Sequence, residues 1–328
     1  MAKIVLGLAV SHSPQLSMPA EKWPAYAAND SRFTLIFRGR TWSFDELAAH
    51  RVPEGIAEQV TPEIFAEKAD RIAAGVETLK QTLAEADPDV IVVIGDDHHE
   101  MFTEHLMPTF TLYCGETVNA EPPDEEDIFE TVKPAAWALY GEQPEVYAVD
   151  AKLGRHILEN THHAGYDVAF MDKQAEGQSI GHTFVTVRTR LSDGDAAMKP
   201  IVPVLVNTYF APNVPTPSRC YGLGKAVGAA IESYPEDIKV AVVATGGLSH
   251  FVVDEQIDRA MLAAMQAKDE AAIAALNAED YVSGTSESLC WFSIAGACQD
   301  KTMEVVDYVP GYRTPAGTGC AMGMVRWQ

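Results

Sequence analysis

The clearest hydrophobic pattern in the chain is the apolar, mostly β-branched run of residues 90–94. A short run of this composition is typical of a strand that is buried on both faces of a sheet. The run stops at Gly95 and is followed by the polar residues 96–100. Ligands of open α/β sheets bind outside the carboxyl ends of the strands, so we expect this polar cluster to lie on a functional rim.

Two further apolar runs end in the same way. Residues 4–10 lead into His12, and residues 240–244 lead through a glycine-containing turn to His250. Since parallel strands bring their carboxyl ends to one edge, the pattern predicts that His12, His98 and His250 lie near one another.

Helical periodicity and turn residues indicate the remaining elements. Thr61 and Pro62 are typical of a helix start, the apolar positions that follow recur at helical spacing, and Asp87-Pro88 predicts the end. Further strands are expected at residues 107–113, 167–171, 201–206, 303–308 and 320–327, and further helices at 152–164, 218–233, 254–279 (as one or two) and from 283 onward. The predicted fold class is α/β, with a mixed central sheet flanked by helices on both faces, in a single domain over residues 1–328.

Residues 18–60 do not follow either periodicity. This aromatic segment contains two tryptophans among Pro, Asn and Gly. A connection of this length is usually a functional loop, so we expect the segment to form a lid.

Composition narrows the classes of function. The net charge of −23 argues against a nucleic-acid partner, because phosphate backbones are bound by clustered Lys and Arg. No apolar run reaches the roughly 20 residues of a membrane span, and the first residues read as a strand rather than a signal peptide. The five scattered cysteines favour reduced thiols. We therefore expect a cytoplasmic protein that acts on a small molecule.

One carboxylate is out of place. Glu287 lies in a segment that is otherwise uncharged and is predicted to be an apolar helix, where a carboxylate is costly to bury unless it is paired or bound to a metal. With His12 and His98 it would complete the two-histidine, one-carboxylate set of non-haem Fe(II) sites. The same ligands could hold Zn²⁺ in a hydrolase, or the pocket could serve binding alone. The ten histidines allow other pairs as well.

Several separated blocks resemble one enzyme family. They are residues 7–14, 97–98 with 108–110, 203–209, 219–224, 245–250 and 287–297. In this order they resemble the class III extradiol ring-cleavage dioxygenases, the family typified by the β-subunit of protocatechuate 4,5-dioxygenase. The resemblance implies ring opening of a catechol-type aromatic acid by O2 at Fe(II). Protocatechuate, gallate, O-methylgallate and hydroxylated biphenyls are the substrate types it implies, and a homodimer is expected.

The resemblance also implies roles for individual residues. His12, His98 and Glu287 match the iron ligands, and His250 matches the catalytic histidine. His182 is a second catalytic candidate, although the chain has Ile-Gly-His-Thr where the family usually has Asp-His-Gly. The candidates for substrate binding are His99, Asn207, Tyr209 and Arg219. The stretch of about residues 18–86 has no clear counterpart in the protocatechuate 4,5-dioxygenase β-subunit, and it is interpreted as an insertion that forms the lid.

Overall fold

A nine-stranded sheet forms the centre of the protein, whose computed structural model describes residues 1–192 and 198–328. Its strands are β1 (Lys3–Val10), β4 (Val90–Asp96), β5 (Phe110–Tyr113), β8 (Ala169–Met171), β9 (Ile201–Val206), β10 (Lys239–Thr245), β11 (His250–Val252), β12 (Met303–Tyr312) and β13 (Thr318–Trp327). Two small hairpins stand apart, β2 (Leu35–Phe37) with β3 (Arg40–Trp42) and β6 (Thr117–Ala120) with β7 (Glu145–Ala148).

Both strand directions occur in the large sheet. Its order is β11-β13-β1-β10-β4-β9-β5-β8, with β12 paired to β13. The central strands β1, β10, β4 and β9 are parallel, whereas β13 joins β1, and β5 joins β9, in the antiparallel sense. The sheet is therefore mixed, as the sequence predicted.

Helices cover both faces of this sheet. They are α1 (Pro14–Ser17), α2 (Trp23–Ala27), α3 (Phe44–Arg51), α4 (Pro62–Ala86), α5 (Ala136–Tyr140), α6 (Ala151–His163), α7 (His182–Thr186), α8 (Pro217–Ser233), α9 (Glu255–Gln266), α10 (Glu270–Ala275) and α11 (Leu289–Ala297). Strand β4 shows why two layers are needed. Val92 and Ile94 point into a core formed with α8 and α11, while Ile91 and Val93 point into a core formed with α4.

The long helix α4 follows the expected pattern. The side chain of Thr61 accepts a hydrogen bond from the Ile64 amide, and Pro62 takes the first helical position. The apolar face of the helix, including Ile72 and Leu79, is buried on the sheet. Asp87 ends the helix in the left-handed conformation, before Pro88. Thus α4 is part of the main core.

Two expectations about local structure need correction. Residues 18–60 are more regular than their sequence suggested, since they contain α2, α3 and the β2–β3 hairpin, and Trp23 is buried against Phe65. The helix expected from residue 283 instead starts as a 3-10 helix, Ser283–Ser288, before α11. None of the helices in the two described ranges is both long and apolar enough to cross a bilayer.

Candidate active site

Three neighbouring parallel strands bring polar residues to one edge of the sheet. Val10 of β1 pairs with Thr245 of β10, and Ala244 pairs with Ile94 of β4, so the three carboxyl ends lie side by side. His12 follows β1, and His98 follows β4. His250 does not directly follow β10: after a tight turn it opens the short antiparallel strand β11.

Glu287 lies where these histidines meet. Its 3-10 helix places the carboxylate at the rim, where Oε2 is 3.1 Å from His12 Nε2 and Oε1 is 3.5 Å from His98 Nε2. The Nε2 atom of His250 lies 3.1 Å from the same Oε1. The side chain of Glu287 is only 3% exposed, so a buried carboxylate is surrounded by three imidazoles.

Two neighbouring groups orient this carboxylate. The Tyr209 hydroxyl donates to Oε1 at 2.7 Å, and the Gly247 amide donates to Oε2 at 3.0 Å. Gly246 has a φ of +118°, and a Cβ atom there would lie 3.0 Å from the Cβ of Glu287. The turn after β10 therefore needs glycine to pass this close to Glu287.

Asp96, which the sequence analysis left on the rim without a role, belongs to the cluster. Its Oδ2 atom lies 3.0 Å from His98 Nε2 and accepts a hydrogen bond from Thr208 at 3.0 Å. Ligand atoms of His12, Asp96 and Glu287 all lie within 4.8 Å of one another. The sequence did contain a signal for Asp96, because it is the last residue of a buried strand and lies at the same edge of the sheet as the histidines.

The cluster fits a cation. Within the described residues, both ring nitrogens of His12 and one oxygen of Asp96 are buried and lack a hydrogen-bond partner. His12 Nε2 is close to Glu287, but it does not point along a hydrogen-bond direction. Buried polar atoms are normally satisfied, and a metal ion bound at the cluster would account for one ring nitrogen of His12.

The carboxylates also shift the protonation of the histidines. Burial alone would lower the pKa of His98, but Asp96 and Glu287 hold it well above its usual value. Burial would also lower the pKa of His250, but Glu287 raises it well above its usual value. Burial would raise the pKa of Glu287, yet His250 and His12 keep it well below its usual value. Opposite charges therefore outweigh desolvation.

His182 is also brought to the cluster. Its ring lies edge-on to those of His12 and His98, with centroids 4.8 Å away in both cases. Its Nδ1 atom is 2.7 Å from Oε1 of Glu100, whose other oxygen accepts from the His98 amide. Sequence reasoning missed Glu100, which links the two histidines. The role of His182 in catalysis stays a prediction.

The four substrate-binding candidates occupy different surroundings. Tyr209 is in the cluster, with its ring edge-on to His98 at 4.6 Å. The exposed His99 has its ring against Phe210. Asn207 hydrogen-bonds within its own loop, to Phe210 and Asn213, and Arg219 lies over Phe110 and Tyr166. Their contact with substrate remains a prediction.

Comparison with known proteins agrees with this arrangement. Residues 48–322 match the family described as the catalytic LigB subunit of aromatic ring-opening dioxygenase. The chain belongs to this family. His98, Glu287 and His250 lie inside the match, whereas His12 precedes it. The match also begins inside the stretch that was interpreted as an insertion, and the bounds of that insertion remain a prediction.

Curated relatives are similar to this chain over parts of its length. A gallate dioxygenase from Pseudomonas putida is 41% identical over 107 residues, which cover 32% of this chain and 30% of that protein. A 2,3-dihydroxyphenylpropionate/2,3-dihydroxicinnamic acid 1,2-dioxygenase from Rhodococcus rhodochrous is 30% identical over 208 residues, or 63% and 54% of the two chains. A protein of that name from Mycolicibacterium smegmatis is 29% identical over 185 residues, or 56% and 51%. The chain thus spans about half or less of the length of these relatives.

Proposed function

We propose that the chain catalyses Fe(II)-dependent extradiol cleavage of a catechol-type aromatic acid by O2. Family membership supports ring-opening chemistry. The relatives act, by name, on gallate and on dihydroxyphenylpropionate or dihydroxycinnamate, which are all aromatic compounds with at least two ring hydroxyl groups and a carboxylate. The observation that carries the proposal is the meeting of two imidazoles and a carboxylate in a buried cluster with unpartnered polar atoms.

In this proposal His12, His98 and Glu287 hold the iron. Two neutral imidazoles and one carboxylate are the ligand set of non-haem Fe(II) sites. Bound Fe(II) would supply a positive charge that favours ionisation of a catechol, and it would bring diol and O2 together. The Tyr209 hydroxyl and the Gly247 amide donate to the Glu287 carboxylate and orient it, as supporting hydrogen bonds do for metal ligands.

His98 and Asp96 compete for the third ligand position. Asp96 is in the compact group with His12 and Glu287, while His98 Nε2 lies 3.0 Å from Asp96 and 3.5 Å from Glu287. We assign the position to His98 through Nε2, with Asp96 as a neighbouring carboxylate that accepts a hydrogen bond from the Thr208 hydroxyl. Metal content separates the two: His98→Ala should lose iron, whereas Asp96→Asn should retain most of it.

His250 is assigned the proton transfer. Its Nδ1 atom lies 2.8 Å from the Leu248 carbonyl, so Nδ1 carries a hydrogen that donates to this oxygen. This leaves Nε2, which faces Glu287, as the nitrogen that takes up and returns a proton. The charge of Glu287 favours the protonated ring, and iron bound to Glu287 would offset that charge and so allow Nε2 to accept a proton. The ring therefore has a defined orientation for taking a proton from a diol bound at the cluster.

Substrate is proposed to approach from the side of His98. The His98 side chain is 32% exposed, whereas those of His12 and Glu287 are 2% and 3% exposed. The rings of Tyr209 and His182 stand edge-on to His98. An aromatic substrate entering here would meet these rings as well as the metal ligands.

The decisive experiment loads the protein anaerobically with Fe(II) and then adds air and a diol. Gallate, protocatechuate and 2,3-dihydroxyphenylpropionate should consume O2 and give ring-opened, yellow products, with unsubstituted catechol slower. Equal turnover of catechol and its acids would contradict the carboxylate preference. Loss of activity in His98→Ala, together with full activity in His105→Ala, an exposed histidine nearby, would tie turnover to the cluster.

The location and assembly of the protein belong to the same proposal. All five cysteines are free and buried, as expected for a protein of the reducing cytoplasm. We retain the homodimer as a proposal on the general frequency of two-fold assemblies. Light scattering of the purified protein and fractionation of its host cells test the two statements.

A further inference from the structure

The strand that carries His250 is held by residues far away in the sequence. Strand β11 has three residues and ends the large sheet, where it pairs with β13. The His250 amide donates to the Thr285 hydroxyl at 3.3 Å. A three-residue edge strand has few backbone hydrogen bonds of its own, so its position depends on what packs around it.

The aromatic segment supplies one of these contacts through Arg38. This residue has a φ of +50° and forms, with Gly39, the two-residue turn of the β2–β3 hairpin. Its guanidinium makes two hydrogen bonds to Asp254, Nε to Oδ2 at 2.7 Å and Nη2 to Oδ1 at 3.0 Å. The Asp254 side chain is 5% exposed, so the forked contact fixes a nearly buried carboxylate.

Asp254 in turn contacts the residue that precedes His250. Its backbone amide donates to Ser249 Oγ at 2.8 Å. The same hydroxyl donates to Asp258 at 2.7 Å, and the Ser249 amide also donates to Asp258, at 2.8 Å. Arg38 is therefore two contacts away from Ser249, although it is 216 residues away from Asp254 in the chain.

A second contact of the aromatic segment reaches β11 from the other side. Asp30 accepts a hydrogen bond from Thr318 at 2.6 Å and pairs with the buried Arg313 at 3.1 Å. Thr318 is the partner of Val252 in the sheet. Leu35, Phe37 and Leu47 pack with Val252 in a small apolar cluster. The segment thus holds β11 both at Val252 and just beyond it, at Asp254.

We propose that Arg38 is a positioning residue for His250, acting through Asp254 and Ser249. This inference rests on the proposed function, in which His250 transfers the proton. Arg38 makes no contact of its own with the metal cluster among its described contacts. It holds Asp254, which keeps Ser249 and hence the His250 ring aimed at Glu287. The aromatic segment is in this way part of the catalytic apparatus.

The test compares Arg38→Ala, Arg38→Lys and Arg40→Ala. Arg40 is the matched control, because it is exposed on the same hairpin and lies over Trp42 instead of Asp254. Arg38→Ala should lower kcat roughly tenfold, the scale of coupling through such networks, with KM and iron content unchanged. Arg38→Lys should have a kcat between those of Arg38→Ala and the wild type, since an ammonium group keeps the charge but cannot make the bidentate contact with Asp254. Arg40→Ala should match the wild type.

Hydrogen exchange separates this inference from the proposed function. In iron-loaded protein, Arg38→Ala should speed amide exchange over residues 249–254, and Arg40→Ala should not. If the wild type opens no catechol ring, the proposed function fails, while the exchange data still report on positioning. If the wild type is active and Arg38→Ala leaves both kcat and exchange unchanged, the inference is wrong. A loss of kcat that is equal in the two alanine variants would also overturn it.

Discussion

The two halves of the candidate site are held in different ways. On the β4 side, the Asp97 carboxylate accepts three backbone N–H groups, from His99, Met101 and Phe102, at 2.7–3.1 Å. The turn that carries His98 is therefore fixed by a neighbour in the sequence. On the β11 side, the segment around His250 is fixed by Asp258 and also by Arg38 and Thr285, and the last two are remote in the sequence.

This difference separates metal binding from proton transfer. The local turn carries a proposed metal ligand, which must be in place for the site to form at all. The remote contacts surround the residue proposed to move a proton, so a change far from the metal can alter turnover and leave metal binding intact. Glu287 is where the two halves meet, because it contacts His98 from one half and His250 from the other.

Removing this shared residue should have the largest effect. Glu287→Ala takes away the only carboxylate that contacts His12, His98 and His250 alike among the described ion pairs. We expect iron content near zero and ring cleavage at background, measured by metal analysis and O2 uptake. A variant that kept stoichiometric iron would show that the β4 side binds metal without Glu287.

A change of pH should disturb the β11 side. Burial raises the pKa of Asp258 to about 7, although hydrogen bonds from Ser249 and Tyr308 oppose the shift. The folded state then retains a proton that the unfolded state has released. Relative to Asp258→Asn, the wild type should lose free energy of unfolding as pH rises from about 4 to 7, by up to about 4 kcal/mol.

Urea unfolding of the two proteins across this pH range makes the measurement. Well below pH 4 the Asp258 carboxyl is protonated in both the folded and the unfolded state, so the difference in unfolding free energy between wild type and Asp258→Asn should be constant there. A difference that does not change between pH 4 and pH 8 would mean that Asp258 is ionised in the folded protein at neutral pH.

Replacing His250, the proposed proton carrier, should separate metal binding from turnover. His250→Phe should bind iron as the wild type does, since its Nε2 atom is not assigned as a ligand, while kcat falls roughly 10²-fold. Steady-state kinetics and metal analysis on the same preparation check this. Unchanged kcat would remove His250 from the mechanism, and lost iron would make it part of the metal site.

The smallest of these effects is expected on the β4 side. Asp97→Ala leaves three backbone N–H groups of the turn without their acceptor, which should cost about 1–3 kcal/mol of unfolding free energy. Asp97→Asn, which keeps one acceptor oxygen, should cost less. Activity per bound iron should stay near that of the wild type, and a strong fall in this ratio would show that the turn also controls turnover.

The same comparison explains what the sequence could predict. The strands before His12 and His98 were visible because their apolar runs are local, and β-sheet geometry then placed both residues at one edge. Glu287 stood out as a lone carboxylate in an apolar stretch. Its 3-10 geometry was not visible, because the composition of residues 283–288 suits either helix type.

Other parts of the site depend on contacts between distant segments. The approach of Arg38 to Asp254, or of Glu100 to His182, follows from tertiary packing and leaves no trace in local periodicity. The contacts of the Asp96 carboxylate with His98 and Thr208 depend on where the segments after β4 and β9 are placed. Sequence reasoning therefore found the elements and most of the cluster, and it missed the links between them.

The pairing of β1 with β13 has a consequence for synthesis of the protein. Val10 pairs with Met324 in the sheet, and the Ser11 hydroxyl donates to the Ala321 carbonyl, which is 310 residues further along the chain. Until the ribosome has translated β13, this edge of β1 has no partner strand. Strand β13 can take its place beside β1 only after residue 327 has left the exit tunnel, so this part of the sheet cannot form until the whole of residues 1–327 has been synthesised.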